Sequence, residues 1–253
     1  MKIALSIAGF DPTGGAGLQE DLKVFRALGI YSLSAAAALT AQNTRGVEAA
    51  MPVESRFLRK QLDVLLSDIT PDAVKIGMLY SVLNVRVVER IIRKHSLHNI
   101  VLDPVIRPSR GKRLAEAGLP AAIRDILLPL CTVVTPNLRE AEILAGMRIR
   151  DMKDMASAAV KIKEFGPACV IITGGHLEGE PADVLYDGGY ISLRGKRYPG
   201  EFHGTGCTFS SALAAMLARG HSPREAARRA KRHMGTYFAR TVAPGKGMRL
   251  FNP

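Results

Sequence analysis

The segment His203-Gly204-Thr205-Gly206-Cys207-Thr208 runs into Phe209-Ser210-Ser211-Ala212-Leu213-Ala214-Ala215-Met216-Leu217-Ala218-Arg219-Gly220. After Gly206 the residues up to Ala218 are small or apolar and suit a helix, and Gly220 stands where a C-terminal cap is expected. Glycines let a backbone approach a ligand closely, and the free N–H groups of a helix's first turn bind anions, so a phosphoryl group is the expected guest. Cys207 falls where such a helix lowers a thiol's pKa toward the thiolate, able to accept a proton or to approach a reacting oxygen. The same residues also read as a glycine turn into a core helix, with Cys207 a small buried side chain.

A chain of 253 residues can bury a sizeable core, and no linker or repeat divides it, which predicts one domain over 1–253. Cys131, Cys169 and Cys207 cannot all pair, and the first two lie in strand-like runs; this usage predicts a reducing, cytoplasmic setting. The apolar N-terminus runs into motif-like sequence without a cleavage pattern and is read as the first strand, not a signal peptide. No apolar run reaches the ~18 residues of a membrane span. The formal charge of +12 favours polyanions, whether nucleic acid or phosphorylated small molecules. Arg219, Arg224, Arg228, Arg229, Lys231, Arg232 and Arg240 cluster near the end without interleaved aromatics for base stacking, so a solvated helix face is expected and nucleic acid is not an expected partner.

Short apolar runs alternate with turns and helix-period segments, the pattern of parallel βαβ units in an α/β fold. Strands are expected at 3–8, 31–39, 73–78, 99–105, 131–135 and 168–173. Helices are expected at 18–28, 53–66, 81–94, 119–128, from Asn137 onward, at 155–165, starting at the glycines Gly204 and Gly206, and at 223–240. The segment 182–198 reads as an edge hairpin about Asp187-Gly188-Gly189. The polar turns Asp11 to Gly17, Gln42-Asn43, Asp103, Asn137 with Glu140, Gly174-Gly175-His176 and Gly204 to Cys207 all follow strands. Ligands bind at that rim of an open α/β sheet, so these turns predict a single site.

Seven segments, in order over nearly the whole chain, carry a family resemblance. They are Ala8-Gly9-Phe10-Asp11-Pro12-Thr13-Gly14-Gly15-Ala16-Gly17-Leu18-Gln19-Glu20-Asp21-Leu22-Lys23, residues 39–44, Lys75-Ile76-Gly77-Met78-Leu79, Leu102-Asp103-Pro104-Val105, Thr135-Pro136-Asn137, Gly174-Gly175-His176 and His203 to Thr208. Together they resemble the hydroxymethylpyrimidine/phosphomethylpyrimidine kinases of thiamine biosynthesis, of the ribokinase-like superfamily. The resemblance implies a three-layer sandwich, a mostly parallel sheet with helices on both faces, and a homodimer. It implies transfer of the ATP γ-phosphoryl to the pyrimidine's hydroxymethyl group and then to the resulting monophosphate, with Mg²⁺. It places the pyrimidine on Gly9, Asp21, Gln42, Met78 and Val105, with Gln42 and Asp21 answering the aminopyrimidine edge. It makes Gly204, Thr205 and Gly206 the phosphate cradle and puts Cys207 where most of the superfamily has an aspartate base. Asp103 and Glu140 become the carboxylates that hold Mg²⁺ through water.

The nucleotide side takes Asn137, Glu140, Thr173, Arg107 and Arg110. Thr173 replaces a family lysine that reaches the nucleotide's phosphates, and Arg107 and Arg110, in a loop that usually carries a Ser-Gly pair, are the expected source of the missing charge. The same cradle serves a kinase restricted to the monophosphate or a pyridoxal kinase. Thr173 favours a catalytically silent ligand- or nucleic-acid-binding protein, against which stand Asp103, Glu140 and Cys207.

Overall fold

The structure, a computed structural model, describes residues 1–106, 116–175 and 182–253. The first half comprises β1 (Ile3–Phe10), α1 (Gly17–Ala27), β2 (Tyr31–Asn43), β3 (Gly46–Pro52), α2 (Ser55–Leu66), β4 (Ala73–Ile76), α3 (Val82–Lys94) and β5 (Ile100–Leu102). There follow α4 (Leu119–Ala122), β6 (Val133–Val134), α5 (Leu138–Ala145), α6 (Met152–Glu164), β7 (Cys169–Ile172), β8 (Ala182–Tyr186) and β9 (Tyr190–Arg194). The remainder is β10 (Phe202–His203), α7 (Thr205–Ala218), α8 (Pro223–Phe238), β11 (Thr241–Val242) and β12 (Arg249–Phe251).

Nine strands form one sheet in the order β3-β2-β1-β4-β5-β6-β7-β8-β9, and β10-β12-β11 form a second, small one. From β2 to β7 neighbouring strands are parallel, while β3, β8 and β9 each pair antiparallel with the preceding strand. The chain leaves β1 for β2 on one side, then crosses to β4 on the other. The strand order therefore reverses between β1 and β4, and such a reversal opens a crevice at the strands' carboxyl ends.

Period-two alternation sorts the strand side chains between two cores. Leu5, Ile7, Val74, Ile76 and Leu102 pack with α2, α3, α5 and α6 through Leu58, Val88, Leu144 and Ile162. Ala4, Ala73, Val101 and Val133 face α1, α7 and α8 through Phe25, Leu213, Ala214 and Met234. This is the expected layering of helices on both faces. The helix α7 is buried without interruption from Thr208 to Ala218, which explains why its sequence carries no polar stripe.

Local signals account for most boundaries. Ser81 caps α3 by accepting from the Asn84 N–H, and Asp151 caps α6 by accepting from Lys153 and Asp154, so α6 begins before the expected residue 155. The hairpin β8–β9 forms at the sheet edge as expected, although its second strand stops at Arg194. Residues 119–130 are not one helix: α4 passes into a π turn over Ile123–Leu127 and a 3₁₀ turn over Leu128–Leu130, where Pro129 brings no N–H. The strand expected over 99–105 is shortened to β5, because the chain turns at Asp103. The strand β3 is absent from the sequence reading, since Glu48, Ala49 and Ala50 lack β-propensity; it exists because β2 runs on to Asn43 and offers it a ladder.

Where the ends of these layers meet, Asn84 is buried and donates through Nδ2 to the carbonyls of Ala37 and Leu79 at 3.0 Å and of Val53 at 3.3 Å, while its Oδ1 accepts from Ser55 Oγ at 2.7 Å. Asn84→Ala removes the side-chain donor of the Val53 carbonyl and the acceptor of Ser55, while the Ala37 and Leu79 carbonyls keep the N–H groups of Val53 and Ser81, and it is expected to destabilise the fold by ~1–3 kcal/mol in urea denaturation. A loss under ~0.5 kcal/mol, the usual range for an inert surface change, would remove this role.

Candidate active site

The crevice between β1 and β4 is lined at its mouth by Gly9, next to last in β1, and Met78, two residues past β4. Gly9 is buried, and a side-chain carbon there would stand 3.6 Å from Met78, which is half-buried just beyond β4. Gln42 sits at the same rim near the end of β2, in an open groove with Pro12, Asn43 and Arg45. Val105, half-buried, follows β5 on the other side. The strand order places the four in a row along this rim, in the sequence Gln42, Gly9, Met78, Val105, with Gln42 standing beyond Leu39, the last β2 residue paired to β1.

Two glycine turns close on each other beside that row. Gly17 opens α1 at φ 57°, where an added carbon would lie 2.2 Å from the Gly9 carbonyl oxygen. Gly204 precedes α7 at φ 84°, where an added carbon would lie 1.8 Å from the Gly15 carbonyl oxygen. Left-handed backbone and backbone contact together exclude any larger residue. Asp11 ties the two turns. Its carboxylate accepts from Thr13 N–H at 2.8 Å and Ala16 N–H at 2.9 Å, and His203 Nε2 lies 2.9 Å from Oδ2. Burial pushes the Asp11 carboxyl up, but the hydrogen bonds from His203 and Thr13 outweigh it and hold it below the ordinary range.

The helix α7 begins at Thr205, between the two glycines as expected, so Thr205, Gly206 and Cys207 all lie in its first turn with free N–H groups. A carbon on Gly206 would stand 3.7 and 3.8 Å from the oxygens of Asp103, so the cradle faces that carboxylate. The lowered thiol pKa expected for Cys207 does not survive folding. Burial pushes the half-buried thiol well above its ordinary value, and Asp103 and Asp21 add to the rise, against the pull of Lys75 and the Gly17 N–H.

Asp21 is not free for a ligand's ring edge. It lies beneath the cradle, wholly buried, with Oδ2 accepting from Ser6 Oγ at 2.5 Å, Oδ1 from Ser211 Oγ at 2.6 Å, and Lys75 Nζ 2.9 Å from both. Lys75 is fully buried in β4; burial opposes its charge, but Asp21, Cys207 and Asp103 raise its pKa overall. Asp103 accepts from Ser210 Oγ at 3.2 Å. Its carboxyl is pushed up by burial, with Lys75 pulling against and Asp21 adding to the rise.

Asn137 and Glu140 do face one another, as a capping box. The Glu140 N–H donates to Asn137 Oδ1 at 3.1 Å, and Glu140 Oε2 accepts from the Asn137 N–H at 3.0 Å. Glu140 Oε1 accepts from the Ile106 N–H at 3.3 Å. Burial and then the charge of Asp103 drive the Glu140 carboxyl well above its usual value. Two buried carboxyl groups, both hard oxygen donors, with the charge of Asp103 opposing ionisation of Glu140, fit Mg²⁺. Among the described residues no cluster of three or more His, Cys, Asp or Glu side chains is placed to hold a metal.

Thr173 is half-buried beyond β7 and bridges to Asn137, its N–H donating to the Pro136 carbonyl at 3.0 Å. The Gly174 N–H donates to Asp183 Oδ1 at 3.1 Å, which fixes this turn. Arg107, Arg110 and His176 lie outside the described residues. The sequence reading assigned no role to Asp11, Lys75 or Asp183. A lysine inside a four-residue apolar strand and an aspartate opening a glycine turn were the available signals.

Glu20 was likewise unassigned. It is buried beside Asp21, accepts from Thr208 Oγ1 at 2.9 Å and lies 2.7 Å from Lys23 Nζ. Burial raises its pKa to about 7, against the pull of Lys23 and Thr208, with the charge of Asp21 adding to the rise. A proton bound more tightly in the folded state stabilises it; that contribution is complete below the ordinary value of 4.5 and is lost as pH rises through about 7. Glu20→Gln keeps an acceptor for Thr208 and removes the titration, so its melting temperature should gain on wild type by several degrees between pH 5 and 8, for an effect on the order of 3 kcal/mol. Parallel melting-temperature profiles would refute the shift.

The Phosphomethylpyrimidine kinase family model matches residues 11–252. The Hydroxymethylpyrimidine/phosphomethylpyrimidine kinase of Bacillus subtilis is 38% identical over 254 residues, covering 96% of this chain and 92% of its own length. The Thiamine biosynthesis bifunctional protein ThiED of Geobacter sulfurreducens is 40% identical over 248 residues, covering 96% of this chain, which spans 50% of that longer protein. The solved ADP complex of Bacillus subtilis pyridoxal kinase superposes with a TM-score of 0.91 at 35% identity, covering 100% of this chain and 97% of the other. With nearly all its length matched and its cradle, crevice and carboxylates at one rim, this chain belongs to the phosphomethylpyrimidine kinase family.

Proposed function

We propose that the chain, as one kinase domain over 1–253, transfers the γ-phosphoryl group of ATP to 4-amino-5-hydroxymethyl-2-methylpyrimidine, to its monophosphate, or to both. It does so in the cytoplasm and as a homodimer. The observation that carries the reading is the first turn of α7 facing Asp103 at the strand-order reversal, with the Gln42-to-Val105 row alongside. The ADP complex of a structural neighbour supports an adenine nucleotide as donor.

In the transfer the acceptor oxygen bonds to the γ-phosphorus, the bond to the bridging oxygen of ADP breaks, and the acceptor's proton leaves. Gln42 offers donor and acceptor groups to the ring edge, Met78 and Val105 pack on the ring faces, and Gly9 leaves room for them. Asp21 supports this pocket from below through Lys75, without touching the ring. The N–H groups of Thr205, Gly206 and Cys207 meet the charge of the moving phosphoryl. Asp103 and Glu140 would hold Mg²⁺ through water, and the ion would neutralise phosphate charge. Asn137 and Thr173 lie on the nucleotide side. Because burial keeps the thiol protonated, Cys207 orients the acceptor hydroxyl by hydrogen bonding; phosphoryl transfer depends mainly on such positioning.

A pyridoxal kinase is the second reading, favoured by the TM-score of 0.91 to a protein of that activity. ADP release measured side by side should show kcat/KM at least ~10-fold higher for hydroxymethylpyrimidine or its monophosphate than for pyridoxal. The reverse order would establish the second reading. Cys207→Ala should lower kcat by ~10²-fold or more with little change in KM, and the wild-type rate should show no thiol ionisation between about pH 7 and 9. Near wild-type turnover in the variant would return Cys207 to packing. For Gln42→Leu, the pyrimidine KM should rise ~5- to 100-fold with weaker discrimination among pyrimidines, as one buried polar partner is lost. An unchanged KM would take Gln42 out of the pocket.

A further inference from the structure

On the outer edge of the main sheet a cavity of about 320 Å³ lies between β9 and α8, lined by Ile191, Ser192 and Arg194 on the strand and Arg228, Lys231 and Arg232 on the helix. Spacings of three and four residues put the three helix cations on one face. Elsewhere on α8 the positive charge is matched: Arg224 pairs with Asp187 at 2.5 Å and Arg229 with Glu225 at 2.7 Å. Inside the cavity only Lys231 is matched, by Asp183 at 2.6 Å. The guanidinium groups of Arg194, Arg228 and Arg232 make no hydrogen bond or ion pair among the described residues. The solvated basic face expected from the sequence is therefore uneven, with its uncompensated charge gathered around a concavity.

We infer that this cavity is a second anion site, separate from the cradle at α7, and that it takes a small phosphate-rich anion of the inorganic pyrophosphate class. Like charges held around one hollow repel, and an anion of several charges that meets all three guanidinium groups removes the repulsion while gaining paired N–H contacts. A singly charged ion meets too few of them. The strand wall adds Ile191, Ser192 and Leu193. The site also stands one ion pair from the turn after β7, since Lys231 holds Asp183 and Asp183 accepts from Gly174.

Isothermal titration of the full chain with inorganic pyrophosphate tests this. Wild type should take up one more pyrophosphate than the triple variant Arg194→Ala/Arg228→Ala/Arg232→Ala, with an affinity that weakens steeply as salt rises. The triple variant should weaken this second binding at least ~10-fold and Arg232→Glu alone should do the same, while melting temperature and basal turnover stay at wild-type values. Identical isotherms for wild type and triple variant, or no uptake beyond the cradle, would overturn the inference. So would tighter binding of a short single-stranded DNA than of pyrophosphate to the same arginines, which would make the face a nucleic-acid surface.

Discussion

The ion pair between Lys75 and Asp21 is the contact on which the rest of the molecule is hung. Both groups are excluded from water, so each would be costly alone, and each is satisfied only when α1 and β4 are in register. Ser6 on β1 and Ser211 on α7 complete the set of partners, so one charge pair fixes two helices to two strands. Those four elements are the ones that border the strand-order reversal. The pair also supplies the positive charge beneath Asp103 and Cys207, which makes the floor of the site an electrostatic and a mechanical support at once.

Above that floor the site is an assembly of turns, and Asp11 holds it together. A carboxylate that binds both the first glycine turn and His203 fixes the distance between α1 and α7, while the glycines allow their backbones to touch. The small sheet continues the tie. His203 pairs with Leu250 of β12, and just before that strand Gly247 and Met248 donate to Thr44 in the turn between β2 and β3. The cradle, the chain's last strand and the hairpin beside Gln42 thus form one connected structure. A displacement of the hairpin would be felt at the phosphate end.

The carboxylates at the rim show how burial can reverse an expectation drawn from local structure. A thiol in the first turn of a helix should ionise easily, yet desolvation and two nearby carboxylates dominate at Cys207. Burial raises Asp103 and Glu140 as well, with Asp21 adding at Asp103 and Asp103 adding at Glu140, while Lys75 and hydrogen bonds from Ser210 and Cys207 pull against the rise at Asp103. Such a cluster favours cations over a free anion.

The sequence by itself determined the βαβ order, the helix caps at Ser81 and Asn137, the edge hairpin at Asp187, and the row of polar turns after the strands, because these follow from periodicity and from capping chemistry within a few residues. It also settled the family, since seven short motifs in one order are specific where each alone is not. Tertiary structure alone decided which polar residues face the crevice and which lie under it. Asp21 and Gln42 look equally suited to a ring edge in the sequence, but Asp21 points into the layer where Lys75 waits, 54 positions away. The strand β3 needed the overrun of β2, the raised carboxyl groups needed burial and a charged neighbour, Asp21 at Asp103 and Asp103 at Glu140, and the hollow between β9 and α8 needed an edge strand beside a helix. Each depends on contacts between distant residues, and neither propensity nor spacing encodes those.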